Sequence, residues 1–379
     1  MLTTTDHYDT QLGSIADRYE AEELFSGALL VTSGNRELLA SARGLAHRGF
    51  SVPNTVGTRF DTASLGKLFT AAATFRLVDR GLLDLDAPVR DLAGLEGTAI
   101  PADVTVRHCL THSSGIADDA DEEAGEDYEE IWKENPCYMV RETRDFIPQF
   151  AYKPPLFKAG TQSRYNNCAY VLVGLALEAK TGLPFREVVE REVLGPAGLA
   201  DTGYFAKDSV APNVAEGYAT VEEGAATSAG DSTPGGATPG GAAADGAPTG
   251  FRKNIYAFPP VGSPDAGVIT TVRDLRKLFL AIEDDGFLSP GLRAEFLSPK
   301  IDAFTLDSGE LRRYGYCLEH DLAPSGRRIR YGKDGCNPGV AAIAMRYPDS
   351  DGFVAILANQ DADVWTMCRE LARAAGFTD

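Results

Sequence analysis

Hydrophobic and polar positions change their spacing along the chain, from strand-like near both ends to helix-like in the middle. Residues 10 to 25 have a helical pattern, and FSGALLVTSGNRELLASARG after them holds two strand-like runs around a Ser-Gly-Asn turn. From Ser64, the segment SLGKLFTAAATFRLVDRGLL is apolar around most of a helical circumference, which predicts a buried helix. Residues 82 to 205 have mainly helical and loop patterns. Residues 311 to 379 return to strands and close with a helix.

This order predicts an α+β fold. One antiparallel sheet is built from both chain ends and flanked by helices, and an all-helical lobe is inserted between them. We expect a single module over residues 1–379, with one lobe from about 1–80 and 255–379 and the helical lobe from about 81–220. Residues 221–250 are dominated by Gly, Ala, Thr, Ser and Pro, which predicts a mobile surface insertion.

Charge and composition exclude several classes of partner. The formal net charge of −19 makes nucleic acid and anionic membrane surfaces unfavourable partners. Six dispersed cysteines without zinc-ligand spacing indicate free thiols and no metal or cofactor. The first residues lack a basic start followed by an apolar run, so we expect a cytoplasmic protein. The acidic run DDADEEAGEDYEE is expected to be a solvated surface segment.

The first candidate for chemistry is the pair Ser64 and Lys67. Residues three apart share one face of a helix, and free N–H groups at the helix start would stabilise an alkoxide. A lysine shielded among apolar residues can have its pKa lowered enough to exchange protons with the serine. The alternative is that Ser64 only caps the helix.

Two further segments can contribute polar groups to such a site. In GTQSRYNNCAY, Tyr165 can act as a general base and Asn167 can hold the lysine and a substrate carbonyl; a packed tyrosine and a helix cap are the alternative. In RYGKDGCNPG, Lys333 offers a positive charge, Gly335 permits close approach, and the N–H of Cys336 can face an oxyanion. A glycine-rich hairpin turn with an exposed lysine is the alternative there.

Taken together and in this order, S-x-x-K, Y-x-N and K-x-G resemble the penicillin-recognising serine hydrolases. The tyrosine makes the chain most similar to the branch with class C β-lactamases, D,D-carboxypeptidases, D-aminopeptidases and β-lactamase-fold esterases. The segments SGALLV, LTHSSGI and VGSPDAGVITTVRDLRKL fit the same family. The resemblance covers residues 10 to 379 apart from the 221–250 insertion.

The resemblance implies a β-lactamase/transpeptidase-like fold and a role for each matching residue. Ser64 would be the acylated nucleophile and Lys67 its proton partner, while Tyr165 would activate the serine or the deacylating water. Asn167 would orient the lysine and the substrate. The strand with Lys333 and Gly335 would line the substrate, and the backbone N–H groups of Ser64 and Cys336 would form the oxyanion hole.

One position departs from the family pattern. Asp334 stands where the lactamases usually have threonine or serine, and an acid beside Lys333 weakens its attraction for a substrate carboxylate. We therefore expect a serine hydrolase with carboxylesterase-like activity on small-molecule esters, amides or peptides. D-aminopeptidase, D,D-carboxypeptidase or β-lactamase activity, and an acyl-binding sensor without turnover, are the alternatives. A Ser–His–acid triad through His112 is a further alternative, and the oligomeric state stays open.

Overall fold

The computed structural model describes residues 4–126, 128–221 and 250–377. Its centre is an eight-stranded antiparallel sheet in the order β2-β1-β14-β13-β12-β11-β10-β9. These strands are β1 (Gly27–Ser33), β2 (Arg36–Arg43), β9 (Ile301–Thr305), β10 (Leu311–Tyr314), β11 (Glu319–Leu322), β12 (Arg328–Asn337), β13 (Val340–Tyr347) and β14 (Gly352–Ala358). Because β1 pairs with β14, the two ends of the chain meet within one sheet, and the predicted α+β class is confirmed.

Both faces of the sheet are covered, which follows from the two-residue period of its strands. In β14, Phe353, Ala355 and Leu357 point into the larger hydrophobic cluster, whereas Val354 and Ile356 point into the smaller one. The smaller cluster lies under the terminal helices α1 (Thr4–Ala21) and α11 (Val364–Ala374). The larger cluster lies under α2 (Lys67–Asp79), α9 (Val272–Glu283) and α10 (Pro290–Phe296).

Helices and turns fill the middle of the chain. The helices are α3 (Val89–Ala93), α4 (Val106–Leu110), α5 (Ile131–Glu134), α6 (Ile147–Phe150), α7 (Cys168–Thr181) and α8 (Phe185–Val189). Residues Cys168–Leu177 of α7 are all buried, and they share one hydrophobic cluster with α2 and with the sheet. Within the described ranges no single helix is long and apolar enough to cross a membrane; α7 and Phe185–Leu194 pass such a test only together, across a bend of 77°.

Three two-stranded pairs lie outside the large sheet in the described part of the chain. They are β3 (Leu45–His47) with β4 (Val52–Pro53), β5 (Phe60–Asp61) with β8 (Ile269–Thr270), and β6 (Tyr218–Val221) with β7 (Gly250–Lys253). The predicted insertion at 221–250 lies, apart from its two end residues, outside the described residues. Val221 pairs directly with Gly250, so the ends of that segment are held side by side.

Removal of residues 225–248 is expected to leave folding intact. The deletion leaves four residues between Val221 and Gly250, which suits a hairpin connection, and a shorter loop costs slightly less closure entropy. The melting temperature of the shortened protein should stay within about 2 °C of the full-length value. A fall of more than about 5 °C in a thermal denaturation series would contradict this prediction.

Candidate active site

Ser64 lies on a tight turn that leads into α2. The turn is a 3₁₀ helix over Ala63–Gly66, and Ala63 adopts a left-handed backbone with φ of 45° that is rare for a residue with a side chain. A hydrogen bond from Ala63 N to Asp61 Oδ1 at 2.8 Å supports this conformation. Gly66, not Ser64, occupies the N-cap of α2, so the helix-cap alternative for Ser64 does not hold. The turn leaves Ser64 partly exposed, as an attacking hydroxyl requires.

Lys67 joins the nucleophile turn to the second motif. Its fully buried ammonium donates to Ser64 Oγ at 3.2 Å, Asn167 Oδ1 at 2.7 Å and the Asp265 carbonyl oxygen at 2.8 Å. An ammonium has three N–H donors, and three acceptors surround this one. Lys67 is therefore held in its protonated form, and the hydroxyl proton of Ser64 must be donated elsewhere.

The expectation that shielding lowers the pKa of Lys67 is wrong. Burial does act in that direction, but the Tyr165 phenol and Asp265 favour the charged amine and raise its pKa overall. The apolar pattern of α2 predicts only the burial, because the opposing groups come from residues about 100 and 200 positions away. The role open to Lys67 is that of a fixed positive charge and hydrogen-bond donor.

Tyr165 lies between the two lysines of the motifs. The ammonium nitrogens of Lys67 and Lys333 are 5.1 and 5.3 Å from its ring centroid. Burial raises the pKa of the Tyr165 phenol above its ordinary value of 10.0, although both ammonium groups and a hydrogen bond with the Ser64 side chain act to lower it. In its phenolate form, which the two ammonium groups would stabilise, the Tyr165 oxygen is placed to accept the Ser64 proton.

Asn167 is fixed on three sides. Its Oδ1 accepts from Lys67, its Nδ2 donates to Glu122 Oε1 at 2.8 Å, and its backbone N donates to Asp118 Oδ2 at 2.7 Å. The other oxygen of Asp118 accepts from Cys168 N at 2.9 Å, so this carboxylate satisfies free N–H groups at the start of α7. The amide oxygen of Asn167 consequently faces the lysine.

The beginning of the acidic run is therefore not the solvated surface segment that its composition predicts. Asp118 is buried, Asp121 forms an ion pair with Arg164 at 2.7 Å, and Glu123 Oε1 accepts from Tyr165 N at 2.8 Å. These carboxylates bind the loop that carries Tyr165 and Asn167. The sequence gives no signal for this contact, because the contacting residues are more than 40 positions apart.

Asp118, Asp119 and Cys168 bring one ligand atom each to within 4.8 Å of one another, a spacing that a metal ion can bridge. Both oxygens of Asp118 already accept backbone N–H groups of the α7 start. The group is thus explained as a helix cap, and the chemistry of the cleft does not require it.

The third motif lies on β12, which passes directly behind the nucleophile turn. A Cβ atom at Gly335 would lie 2.3 Å from the Thr62 carbonyl oxygen and 2.7 Å from Ser64 N. The partner strand β11 begins at Glu319, which pairs with Gly332, so residues 333–337 have no strand partner on that side within the described chain. Their free edge lies beside the backbone of the Ser64 turn. The N–H groups of Ser64 and Cys336 remain the predicted oxyanion hole, and the Cys336 side chain is exposed.

Substitution of Gly335 by alanine is expected to reduce kcat/KM by about 100-fold, because the methyl group must displace the Ser64 turn and a small misplacement of reacting groups is costly. Overpacking should also destabilise the fold by about 1–3 kcal/mol. Ester hydrolysis and thermal denaturation measure the two effects. Gly97→Ala is the matched control, since a Cβ atom there meets nothing within 4 Å. Equal activity of Gly335→Ala and the control would show that β12 does not constrain the turn.

Lys333 is not the exposed lysine of a hairpin turn. It is buried, and its ammonium forms ion pairs with Glu319 Oε1 at 2.6 Å and Asp334 Oδ1 at 2.8 Å. Burial favours the neutral amine, but the two carboxylates outweigh it and raise the pKa of Lys333 well above its ordinary value. Asp334 was anticipated from the sequence, whereas Glu319 was missed.

The geometry does not support a Ser–His–acid triad. His112 is buried and stacks on the Tyr165 ring with centroids 4.5 Å apart, and its Nδ1 accepts from Asn166 N at 3.2 Å. In the described part of the chain no carboxylate hydrogen-bonds to it. Burial and the nearby ammonium groups lower the pKa of His112 well below 6.5, so the ring stays neutral and supports the tyrosine by packing.

The chain is similar to proteins that are named as an esterase and as a penicillin-binding protein. The chain is 32% identical to esterase EstB of Burkholderia gladioli over 204 residues, which span 51% of this chain and 51% of that protein. It is 23% identical to penicillin-binding protein 4* of Bacillus subtilis over 359 residues, 94% of this chain and 72% of that protein. The match to EstB thus spans about half of the relative's length.

Solved structures share the fold. The penicillin-binding protein from Bacillus halodurans superimposes with a TM-score of 0.82 at 32% identity, covering 96% of this chain and 99% of that one. A D-stereospecific amidohydrolase from Streptomyces has a TM-score of 0.73 at 19% identity, which shows a common fold only. The β-lactamase/transpeptidase-like fold is confirmed. A family model described as Beta-lactamase matches residues 14–377, and the chain belongs to that family.

Proposed function

We propose that this protein is a serine hydrolase that acts through an acyl-enzyme, with carboxylesterase-like activity on small neutral esters. One observation carries the proposal: the Lys67 ammonium bonds to Ser64 Oγ and Asn167 Oδ1 at once, beside the Tyr165 phenol. Two of the sequence motifs thus meet at Ser64, and the Lys333 ammonium of the third lies 5.3 Å from the Tyr165 ring centroid. The likeness to EstB, a protein named as an esterase, supports the choice of substrate class.

Acylation begins with transfer of the Ser64 proton to the Tyr165 phenolate. Ser64 Oγ attacks the carbonyl carbon of the ester, and the carbonyl electrons move to oxygen, where the N–H groups of Ser64 and Cys336 stabilise the negative charge. Lys67 keeps its proton throughout and stabilises the phenolate and the attacking oxygen. Collapse of the intermediate expels an alkoxide, which takes the proton that Tyr165 has just received.

Deacylation repeats the same steps with water as the nucleophile. The regenerated phenolate removes a proton from water, the hydroxide attacks the acyl carbon, and Ser64 leaves with the proton held by Tyr165. Asn167 contributes by keeping Lys67 in place and through contact with the acyl group. No metal or redox group is needed for any of these proton transfers.

Peptidase activity is the second candidate, and a specific likeness favours it. The chain is 28% identical over 201 residues to a D-alanyl-D-alanine-carboxypeptidase/endopeptidase, AmpH of Escherichia coli, across 50% of this chain and 49% of that protein. Against it stands the pairing of Lys333 with two carboxylates, which weakens its hold on the terminal carboxylate of a peptide.

A substrate panel with intact-mass detection tests the proposal. The purified protein is offered a short-chain nitrophenyl ester, a chromogenic cephalosporin and a D-alanyl peptide, and a rapid acid quench traps covalent intermediates. We expect the fastest turnover on the ester and a transient mass increase that peptide mapping assigns to Ser64. A stable adduct without turnover would indicate an acyl-binding sensor instead, and labelling of another residue would overturn the assignment of the nucleophile.

A further inference from the structure

Lys333 belongs to a largely buried series of ion pairs that crosses β12, β11 and β10. Three cations alternate in it with four carboxylates: Asp334–Lys333 at 2.8 Å, Lys333–Glu319 at 2.6 Å, Glu319–Arg312 at 2.6 Å, Arg312–Asp321 at 2.8 Å, Asp321–Arg330 at 2.7 Å and Arg330–Glu310 at 2.6 Å. Both ends of the chain are carboxylates. Each of the three cations is thus paired with two carboxylates of the protein.

Both carboxylates on Lys333 are themselves fixed. The second oxygen of Glu319 is bound by Arg312, and the second oxygen of Asp334 accepts from Trp365 Nε1 at 2.5 Å. Neither side chain can rotate away from the ammonium without the loss of a second strong bond. Burial acts against the charged form of Asp334, but Lys333 and the Trp365 hydrogen bond outweigh it and lower its pKa to about 2, so the acid stays ionised.

The paired ammonium lies beside the proposed general base, 5.3 Å from the Tyr165 ring centroid. Two of its three N–H donors are taken by carboxylates. A substrate carboxylate at the remaining donor would be the third anion around one cation, in a buried place where repulsion between like charges is weakly screened. A neutral ester meets no such opposition.

Resting on the proposed hydrolase function, we propose that Glu319 and Asp334 are specificity-determining residues that make the cleft reject substrates bearing a carboxylate. Because both carboxylates pair with Lys333, its positive charge is neutralised within the protein and does not attract an anionic substrate. The acyl donors that fit are uncharged esters or amides. A purely structural role for the two ion pairs would change all substrates alike, whereas a role in specificity changes the ratio between charged and neutral substrates.

Matched substrates measure that ratio. The first pair is 4-nitrophenyl hexanoate and the mono-4-nitrophenyl ester of adipic acid, which differ by a carboxylate at the acyl end. The second pair is phenyl acetate and 3-carboxyphenyl acetate, which differ by a carboxylate on the leaving group. We expect the unaltered protein to favour the neutral member of at least one pair by about 100-fold in kcat/KM, a typical scale for one unfavourable charged contact.

The variants are Glu319→Gln and Asp334→Asn, which remove one negative charge each and keep the shape of the side chain. Either should move the ratio toward the carboxylate substrate by at least about tenfold in that pair. Asp334→Asn provides a second test of the proposal if Glu319→Gln, at the more deeply buried position, fails to fold. Glu310→Gln is the matched control, because it removes the same charge from the far end of the chain of ion pairs without touching Lys333.

An unchanged ratio in a folded variant, or an equal change in Glu310→Gln, would overturn the inference. A wild-type ratio near one would overturn it as well. These results leave the proposed function standing as long as the neutral esters are hydrolysed. Failure to hydrolyse any ester in either pair would instead refute the proposed function.

Discussion

Replacement of Ser64 by alanine is expected to lower kcat for a short-chain ester by about 10⁵–10⁶-fold, the scale at which loss of a serine nucleophile acts in other hydrolases. Without the hydroxyl no acyl-enzyme can form, and hydrogen bonding in the cleft contributes only residual catalysis. Burst kinetics and intact-mass spectra of the quenched reaction check the outcome. Neither should show a covalent species.

The change should leave the fold intact, because Ser64 is partly exposed and Lys67 keeps its bonds to Asn167 and the Asp265 carbonyl. Ser325→Ala, at an exposed position on a distant turn, is the control for the loss of a hydroxyl. A Ser64→Ala protein that melts like the wild type and still hydrolyses the ester at more than about one per cent of its rate would refute the acyl-enzyme mechanism.

Replacement of Tyr165 by phenylalanine is expected to reduce kcat/KM by about 10²–10⁴-fold, the usual contribution of a general base. The ring and its stacking on His112 are retained, so the loss reports the phenol oxygen alone. Steady-state kinetics on the neutral ester measure it. Tyr138→Phe, at an exposed tyrosine outside the cleft, should have the activity of the wild type.

The pH dependence tests the same assignment with a defined sign. The reactive form of Tyr165 is the phenolate, and its pKa is raised above 10.0, so the phenolate fraction grows as pH rises. After subtraction of the uncatalysed rate, kcat/KM should rise about tenfold per pH unit from neutrality to about pH 9. Lys67 stays protonated over this range because its pKa is raised above 10.5, and the neutral His112 adds no inflection near 6.5.

Tyr165→Phe should lose this rise with pH along with its activity. A wild-type profile that levels off near pH 7 would point to a different base, and so would a phenylalanine variant that keeps the alkaline rise. Either result would remove the phenol from the mechanism while leaving Ser64 as the possible nucleophile.

The sequence alone determined the main secondary-structure elements and supplied the candidate residues for the site. Periodicity is a local property, so the buried helices around Phe69 and Leu172, the hairpin of β1 and β2 and the closing strands could be predicted. The three motifs could be joined because their order resembles a known family. The resemblance implied roles for Ser64, Tyr165 and Lys333, and in the structure the Lys67 ammonium bonds to Ser64 Oγ while the ammonium groups of Lys67 and Lys333 both lie near the Tyr165 ring.

Only the tertiary structure decided the charge state and the surroundings of those side chains. The pKa of Lys67 is raised although the side chain is buried, and Glu319 neutralises the charge of Lys333. Asp118 belongs to an acidic run, yet its carboxylate binds the start of α7. Electrostatic energies depend on distances of a few ångströms between groups that lie far apart in the chain. The spacing of hydrophobic residues contains no information about such pairs of charged groups, so only the folded structure reveals them.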